Sequence, residues 1–163
     1  MQSAAAPDPE RGPAQALELA YRHLSRRDRT VAQLRRHLAS RGVAEPAIDG
    51  AVETLARQGY LDDARYARTF AEDRRALDGW GAERIERALV AAGVAPELVA
   101  DAVGARDADD ELGAAVALLR RRYGRIPTTD RQRERALGVL VRRGYEAELA
   151  YEAVRTFEAD GAR

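Results

Sequence analysis

Leu38, Gly42, Ala51 and Val52 return 51 residues later as Leu89, Gly93, Ala102 and Val103, and after another 51 as Leu140, Gly144, Ala153 and Val154. Four positions holding one period over three copies mark an internal repeat, which restricts the chain to a short array of like units. Each copy has one grammar: an amphipathic helix, a glycine, two to four residues, then a second helix. Glycine suits the residue just past a helix end because that position is commonly left-handed, a conformation that costs any residue with a Cβ. The recurring apolar side chains are expected to face inward. Leu38, Gly42, Val52, Leu89, Gly93, Val103, Leu140, Gly144 and Val154 are therefore the expected frame of the repeats.

Helical signals fill the space between these markers. A first helix is expected from 14 to 26, with Leu17, Ala20, Tyr21 and Leu24 on one face. Thr30-Val31-Ala32-Gln33 has the form of a capping box that opens a second helix, ended by Gly42. Pro46 suits the first turn of a third, closed by Gly59. Asp62 is the expected N-cap of the fourth, where Asp62 and Asp63 both complement the helix dipole. Tyr66, Phe70 and Leu77 are expected on that helix's inner face, with Arg65, Arg68, Arg74 and Arg75 mostly outside. Gly79-Trp80-Gly81 reads as a turn, Ile85 and Leu89 as the stripe of a fifth helix, and Pro96 as the start of a sixth. Residues 104–108 read as a linker or interrupted helix end, and a seventh helix follows from about 109 to 123. After a loop from Gly124 to Asp130, the eighth helix carries Leu137 and Leu140 and the ninth carries Leu149, Ala153 and Phe157.

No segment alternates with period two, so no sheet is expected. The fold class is all-α: nine helices in three tandem three-helix repeats, at 14–59, 60–104 and 105–158. Residues 1–13 read as a disordered leader and 159–163 as a tail. Units of this size bury their stripes by stacking on a neighbour. The expected outcome is an elongated, curved array of either hand, with a long surface and no deep central pocket.

Composition excludes several functions. There is no Cys, so thiolate metal sites and disulfides are absent, and His23 and His37 are the only histidines. Both lie among arginines on faces expected to be polar, which argues against a metal site or a histidine-based catalyst; no cofactor is expected. No apolar run is long enough for a transmembrane helix, and the start lacks a signal-peptide core. The chain reads as a cytoplasmic monomer with no membrane contact. Net charge is zero but unevenly spread: +4 over 1–44, −8 over 45–111, +7 over 120–143 and −3 over 144–163. Every cationic side chain is Arg. A GC-rich coding bias accounts for that choice, while the guanidinium fork still binds carboxylates and phosphates bidentately.

The candidate sites are few. Asp62-Asp63, Glu72-Asp73 and Asp109-Asp110-Glu111 are acidic clusters, but neighbours on a helix point about 100° apart and rarely converge on one ion. They read as a cap (Asp62) and as solvated faces. No phosphate loop of the G-x-x-x-x-G-K-[ST] type is present. Arg120, Arg121, Arg122 and Arg125 surround Tyr123, and two readings stay open. They grip phosphates with Tyr123 stacked on a base, or Tyr123 ends the helix core and the arginines are solvated. Trp80 is open in the same way, as an interface anchor or as a wedge between repeats.

Gly59-Tyr60-Leu61-Asp62-Asp63-Ala64-Arg65-Tyr66-Ala67, with Gly81 to Leu89 and the Gly93-Val94 turn, resembles the RecX regulatory proteins of bacteria. Thr30 to Leu38 is similar to that family's first-unit signature, and Arg142-Arg143-Gly144-Tyr145 to its C-terminal element. The resemblance covers residues 14–158. One departure is Ala136, which stands where the first two repeats have Leu34 and Ile85. The resemblance implies a non-enzymatic modulator of the RecA recombinase that lies along the RecA–DNA filament and inhibits it, with DNA met as part of that filament. It is densest around 60–87, which makes Arg65, Arg68, Trp80, Arg84 and Arg87 the candidate partner contacts. Arg120, Arg121, Arg122, Arg125, Arg142 and Arg143 are the candidates for phosphate. An autonomous helix-turn-helix-like DNA binder and an interaction scaffold for an unrelated partner are the alternatives.

Overall fold

The computed structural model describes residues 12–161, and the leader reading for 1–11 lies outside them. Among the described residues the chain is all-α, without strands. Nine α-helices follow in order: α1 (Pro13–Leu24), α2 (Val31–Ser40), α3 (Glu45–Arg57), α4 (Asp63–Asp73), α5 (Ala82–Ala91), α6 (Pro96–Gly104), α7 (Ala108–Arg122), α8 (Asp130–Arg143) and α9 (Ala147–Gly161). The last runs into the segment expected as a tail. Packing divides the described residues into two compact units. One holds those within Met1–Ala67 and Leu89–Leu98, the other those within Arg68–Ala88 and Val99–Arg163.

The core of the first unit is built from Ala16 and Ala20 of α1, Leu34 and Leu38 of α2, and Ile48, Ala51 and Leu55 of α3. That of the second gathers Ala115 and Leu119 of α7, Ala136 and Leu140 of α8, and Ala153, Val154 and Phe157 of α9. Leu38, Leu89 and Leu140 are fully buried, as their period implies. Val52 and Val103 are only half-buried, and Gly93 is exposed. The small residue at Ala136 is matched by a large one nearby. Tyr145, whose counterparts are Val43 and Val94, lies in the same core cluster at 1% exposure.

The repeat glycines have a second role. Gly42, Gly93 and Gly144 all take positive φ, at 75°, 80° and 88°. Within the first unit, Gly93 is set against the start of α2, where an added Cβ would collide with the Ala32 Cβ. Thr30 caps α2 by accepting from the Gln33 N–H at 3.1 Å, and the Gln33 side chain accepts in return from the Thr30 N–H at 3.2 Å. The Thr30 hydroxyl also donates to the Ala92 carbonyl at 2.6 Å, and the Val31 N–H donates to Asp63 Oδ1 at 2.9 Å. The first turn of α2 is thus completed by atoms from the next repeat.

The second unit repeats this joint one period on. Gly144 meets the start of α5, where its added Cβ would lie 2.5 Å from the Arg84 backbone nitrogen. Gly81, the counterpart of Thr30, donates its N–H to the Arg143 carbonyl at 2.8 Å, and Glu83 donates to the Gly144 carbonyl at 3.0 Å. The Ala82 N–H donates to Glu111 Oε1 at 2.8 Å, the role Asp63 has for Val31, although the period places Ala114 at the position of Asp63. A side-chain hydroxyl in one joint and a bare backbone N–H in the other serve the same carbonyl position. Asp63 is therefore not merely a solvated acid, and Glu111, at 7% exposure, is buried. Burial is tolerated because the carboxylate accepts a helix N-terminal donor and pairs with Arg106 at 3.5 Å.

Leu77 corrects another expectation. It is 76% exposed, while Arg74 and Arg75 turn half inward. After Asp73 the helix continues as one π-helical turn, Arg74–Asp78. The wider turn breaks the 3.6-residue register, so the stripe that holds at Phe70 misses Leu77. Arg75 consequently reaches the end of α6 and donates to the Ala102 and Val103 carbonyls at 3.3 and 2.7 Å. Burial, ahead of neighbouring Arg106, pushes its pKa down from the usual arginine value.

Two glycine substitutions separate strain from collision. Gly59, at φ 79°, has nothing within 4 Å of an added Cβ. Gly59→Ala is expected to cost about 1–2 kcal/mol, the left-handed penalty alone. Gly93→Ala adds the collision with Ala32 and is expected to cost about 2–4 kcal/mol. Urea unfolding of both variants, compared with wild type, checks the difference.

Candidate partner-binding surface

The stretch around Gly79-Trp80-Gly81 is held by aromatic and guanidinium contacts. Gly79 adopts φ 62° and closes the π turn. Trp80 then packs edge-on to Phe70, with centroids 6.1 Å apart. The Arg84 guanidinium sits over the indole at 4.2 Å and Arg74 at 5.6 Å, both within cation–π range. Arg74 is also paired with Asp78 at 2.5 Å, and Arg84 donates to the Arg142 carbonyl at 3.1 Å. Trp80 is half-buried in this cluster. Arg84 is consequently part of the joint as well as of the surface, and its charge is already engaged.

The other candidate arginines sort by exposure. Arg65 is exposed and donates to the Gly59 carbonyl at 2.9 Å, next to Asp62, which accepts from the Arg65 N–H at 2.8 Å. Arg68 and Arg87 are exposed. In the third repeat, Arg120 pairs with Asp160, and Arg143 is half-buried and donates to the Asp78 carbonyl. Arg121, Arg122, Arg125 and Arg142 stand exposed.

Tyr123 ends α7 in an extended conformation and packs on the core of the second unit. Beside it runs a groove of about 640 Å³ lined by Arg120, Tyr123, Arg125, Ile126, Gln132 and Phe157. The long loop that forms this groove has its own order. Thr129 caps α8 in a capping box with Gln132, so α8 starts earlier than the repeat period places α2 and α5. Sequence reasoning missed that box, although Thr129 and Gln132 carry the same spacing as Thr30 and Gln33.

The arrangement positions charge through cation–π contacts, ion pairs and hydrogen bonds. No group of three or more His, Asp or Glu that could hold a metal occurs among the described residues. No described helix is long and apolar enough to cross a membrane. The difference between engaged and exposed arginines is measurable. Arg84→Ala removes a cation–π contact and a hydrogen bond, an expected loss of about 1–2 kcal/mol with a changed Trp80 emission. Arg87→Ala is expected to stay within about 0.5 kcal/mol of wild type and to leave the emission unchanged. Unfolding followed by the fluorescence of the single tryptophan reads both.

Comparison with known proteins matches two family models in tandem: "RecX, first three-helix domain" over residues 16–63 and "RecX, second three-helix domain" over 62–103. A regulatory protein RecX of Trichlorobacter lovleyi is 39% identical over 134 residues, spanning 80% of this chain and 87% of that one. The RecX of Mycobacterium ulcerans is 35% identical over 143 residues, 86% of this chain and 83% of its own. The crystal structure of RecX from Lactobacillus salivarius superposes with a TM-score of 0.80 at 17% identity, covering 90% of this chain and 97% of that one. A second RecX crystal structure gives a TM-score of 0.73 at 21% identity, over 88% and 71% of the two chains. At those identities the structures speak for the fold alone. The sequence relatives carry more, and on their account this chain belongs to the RecX family of regulatory proteins.

Proposed function

We propose that this chain is a non-catalytic regulator that binds the filament of the RecA recombinase on DNA and inhibits its ATPase and strand-exchange activities. It acts in the cytoplasm as a monomer and meets DNA as part of that filament. The observation that carries the reading is membership of a regulatory family over four-fifths or more of the chain. Surface chemistry supports it, since exposed arginines stand beside acid-rich segments in one molecule. Such a surface complements a protein filament that carries nucleic acid better than it complements naked DNA, because net charge is zero.

Within this reading Arg68 and Arg87 make the partner contact, and Arg65 makes a further one. Trp80 and Arg84 fix the surface between. Arg121, Arg122, Arg125 and Arg142 lie toward phosphate, and Arg120 and Arg143 add to the positive field from their structural positions.

The test is RecA's DNA-stimulated ATPase with increasing amounts of this protein. Wild type is expected to inhibit, and Arg68→Glu with Arg87→Glu to raise the half-inhibitory concentration about tenfold, roughly 1.4 kcal/mol, with unchanged helicity. Equal inhibition by the variant removes that face from the proposal. Absence of any wild-type effect removes RecA, and steep salt-dependent binding to free DNA in its place favours the autonomous DNA binder.

A further inference from the structure

His23 on α1 and His37 on α2 are not spread on a polar face; they stack on each other. Their ring centroids lie 3.8 Å apart and their planes are 8° from parallel. Both rings are half-buried, and a cavity of about 100 Å³ opens among Leu19, Arg22, His23, Arg26, His37 and Arg41. Arg27 and Arg29, from the connection between the helices, add to the field on His23, and Arg29 also acts on His37.

Among the described residues, no carboxylate is among the groups acting on either imidazole. On α1, Glu18 is bound by Arg22 at 2.7 Å. On α3, Glu45 and Asp49 pair with Arg35, and Glu53 with Arg57. Asp28, in the connection, is exposed. From α4, Tyr66 acts on Arg29. The Arg29 Nε is shielded from solvent and has no hydrogen-bond partner.

A protein has little structural reason to gather guanidinium groups around two stacked imidazoles. Protonating one ring places a cation against its neighbour and the arginines. Burial, ahead of His37 and the arginines, accordingly pushes the His23 pKa below its ordinary 6.5, and burial ahead of Arg41 does the same for His37. A metal cation would meet the same repulsion. An oxyanion reverses every sign, because it neutralises the guanidiniums and accepts N–H bonds from protonated rings.

We propose that the His23–His37 stack and its arginines form a phosphate-binding site, and that filling the site draws protons onto the imidazoles. The ligand chemistry is a tetrahedral oxyanion, supplied by the phosphodiester backbone of a nucleic acid or by a free phosphate group. By linkage, protons are taken up between the low pKa of the empty site and the higher pKa of the filled one. Affinity therefore rises as pH falls through that interval and is level above and below it.

The chain has two histidines, so a tag-free sample gives two imidazole Cε1–H signals that titrate separately in proton–carbon NMR. Three titrations are compared: protein alone, with sulfate, and with a short oligothymidylate, neither anion changing charge between about pH 5.5 and pH 7.5. Alone, both rings are expected to titrate below the usual histidine range. Both anions raising the two midpoints marks a general oxyanion site, and the oligonucleotide alone raising them marks a phosphodiester site. Unmoved midpoints with both anions overturn the proposal.

A second measurement is oligothymidylate affinity at the two ends of that pH range. Wild type is expected to gain about tenfold on acidification, the gain from an average of about half a linked proton over those two pH units. His23→Gln with His37→Gln is expected to lose that gain, and an equal gain in the variant contradicts the proposal. The wild-type titration needs no variant and holds even if the double substitution fails to fold. Neither experiment contains RecA, so the outcome is separate from that of the proposed filament regulation.

Discussion

The first turn of a helix leaves backbone N–H groups without intrahelical partners, and how they are met governs this molecule. At α2 the Val31 N–H goes to Asp63 and the Thr30 hydroxyl to the Ala92 carbonyl. At α5 the Ala82 N–H goes to Glu111 and the Gly81 N–H to the Arg143 carbonyl. In both cases the partners come from the following repeat, beside a glycine held in the left-handed region. A single repeat lacks these partners, and the first N–H of its second helix would be left to water or to a local cap such as that of α8. At Gly93 and Gly144 the joint explains the glycine: the position turns the chain and leaves no room for a Cβ beside the neighbouring helix start.

The third repeat shows how far packing bends while the joint holds. Ala136 gives up the volume that Leu34 and Ile85 supply, and Tyr145 supplies bulk where Val43 and Val94 stand. A buried tyrosine sits beside charged neighbours, and burial, ahead of the Glu111 charge, pushes its phenol pKa above the ordinary value. The side chains change, and Gly144 keeps both its positive φ and its close approach to the neighbouring helix start. Val90 and Val141, one period apart on α5 and α8, are both exposed, at 59% and 43%.

Local chemistry was the legible part of the sequence. The Thr30–Gln33 capping box and the glycine helix ends depend on residues a few positions apart, and both stand as read. The same box at Thr129–Gln132 was readable by the same rule. Leu77 failed because a 3.6-residue stripe assumes an unbroken α-helix, and one π turn shifts the register. Asp63 and Glu111 failed for another reason. Their partners lie 32 and 29 residues away, and no local pattern distinguishes a carboxylate capping a neighbour's helix from one in water. The His23–His37 stack is hidden in the same way, since it exists only once α1 and α2 pack.

Within the candidate surface, sequence did not separate the arginines engaged in structure from those left exposed. Arg84 is engaged by Trp80 and by the Arg142 carbonyl, whereas Arg87, three residues on, is exposed. That difference arises at the joint, so the joint is the point to test. A double-mutant cycle of Gly93→Ala and Ala32→Gly measures it directly, because the second change removes the methyl that the first would strike. Gly93→Ala is expected to cost about 1–3 kcal/mol less in the Ala32→Gly background than in wild type. Costs equal in the two backgrounds, to within about 0.5 kcal/mol, would contradict contact between these repeats at Gly93.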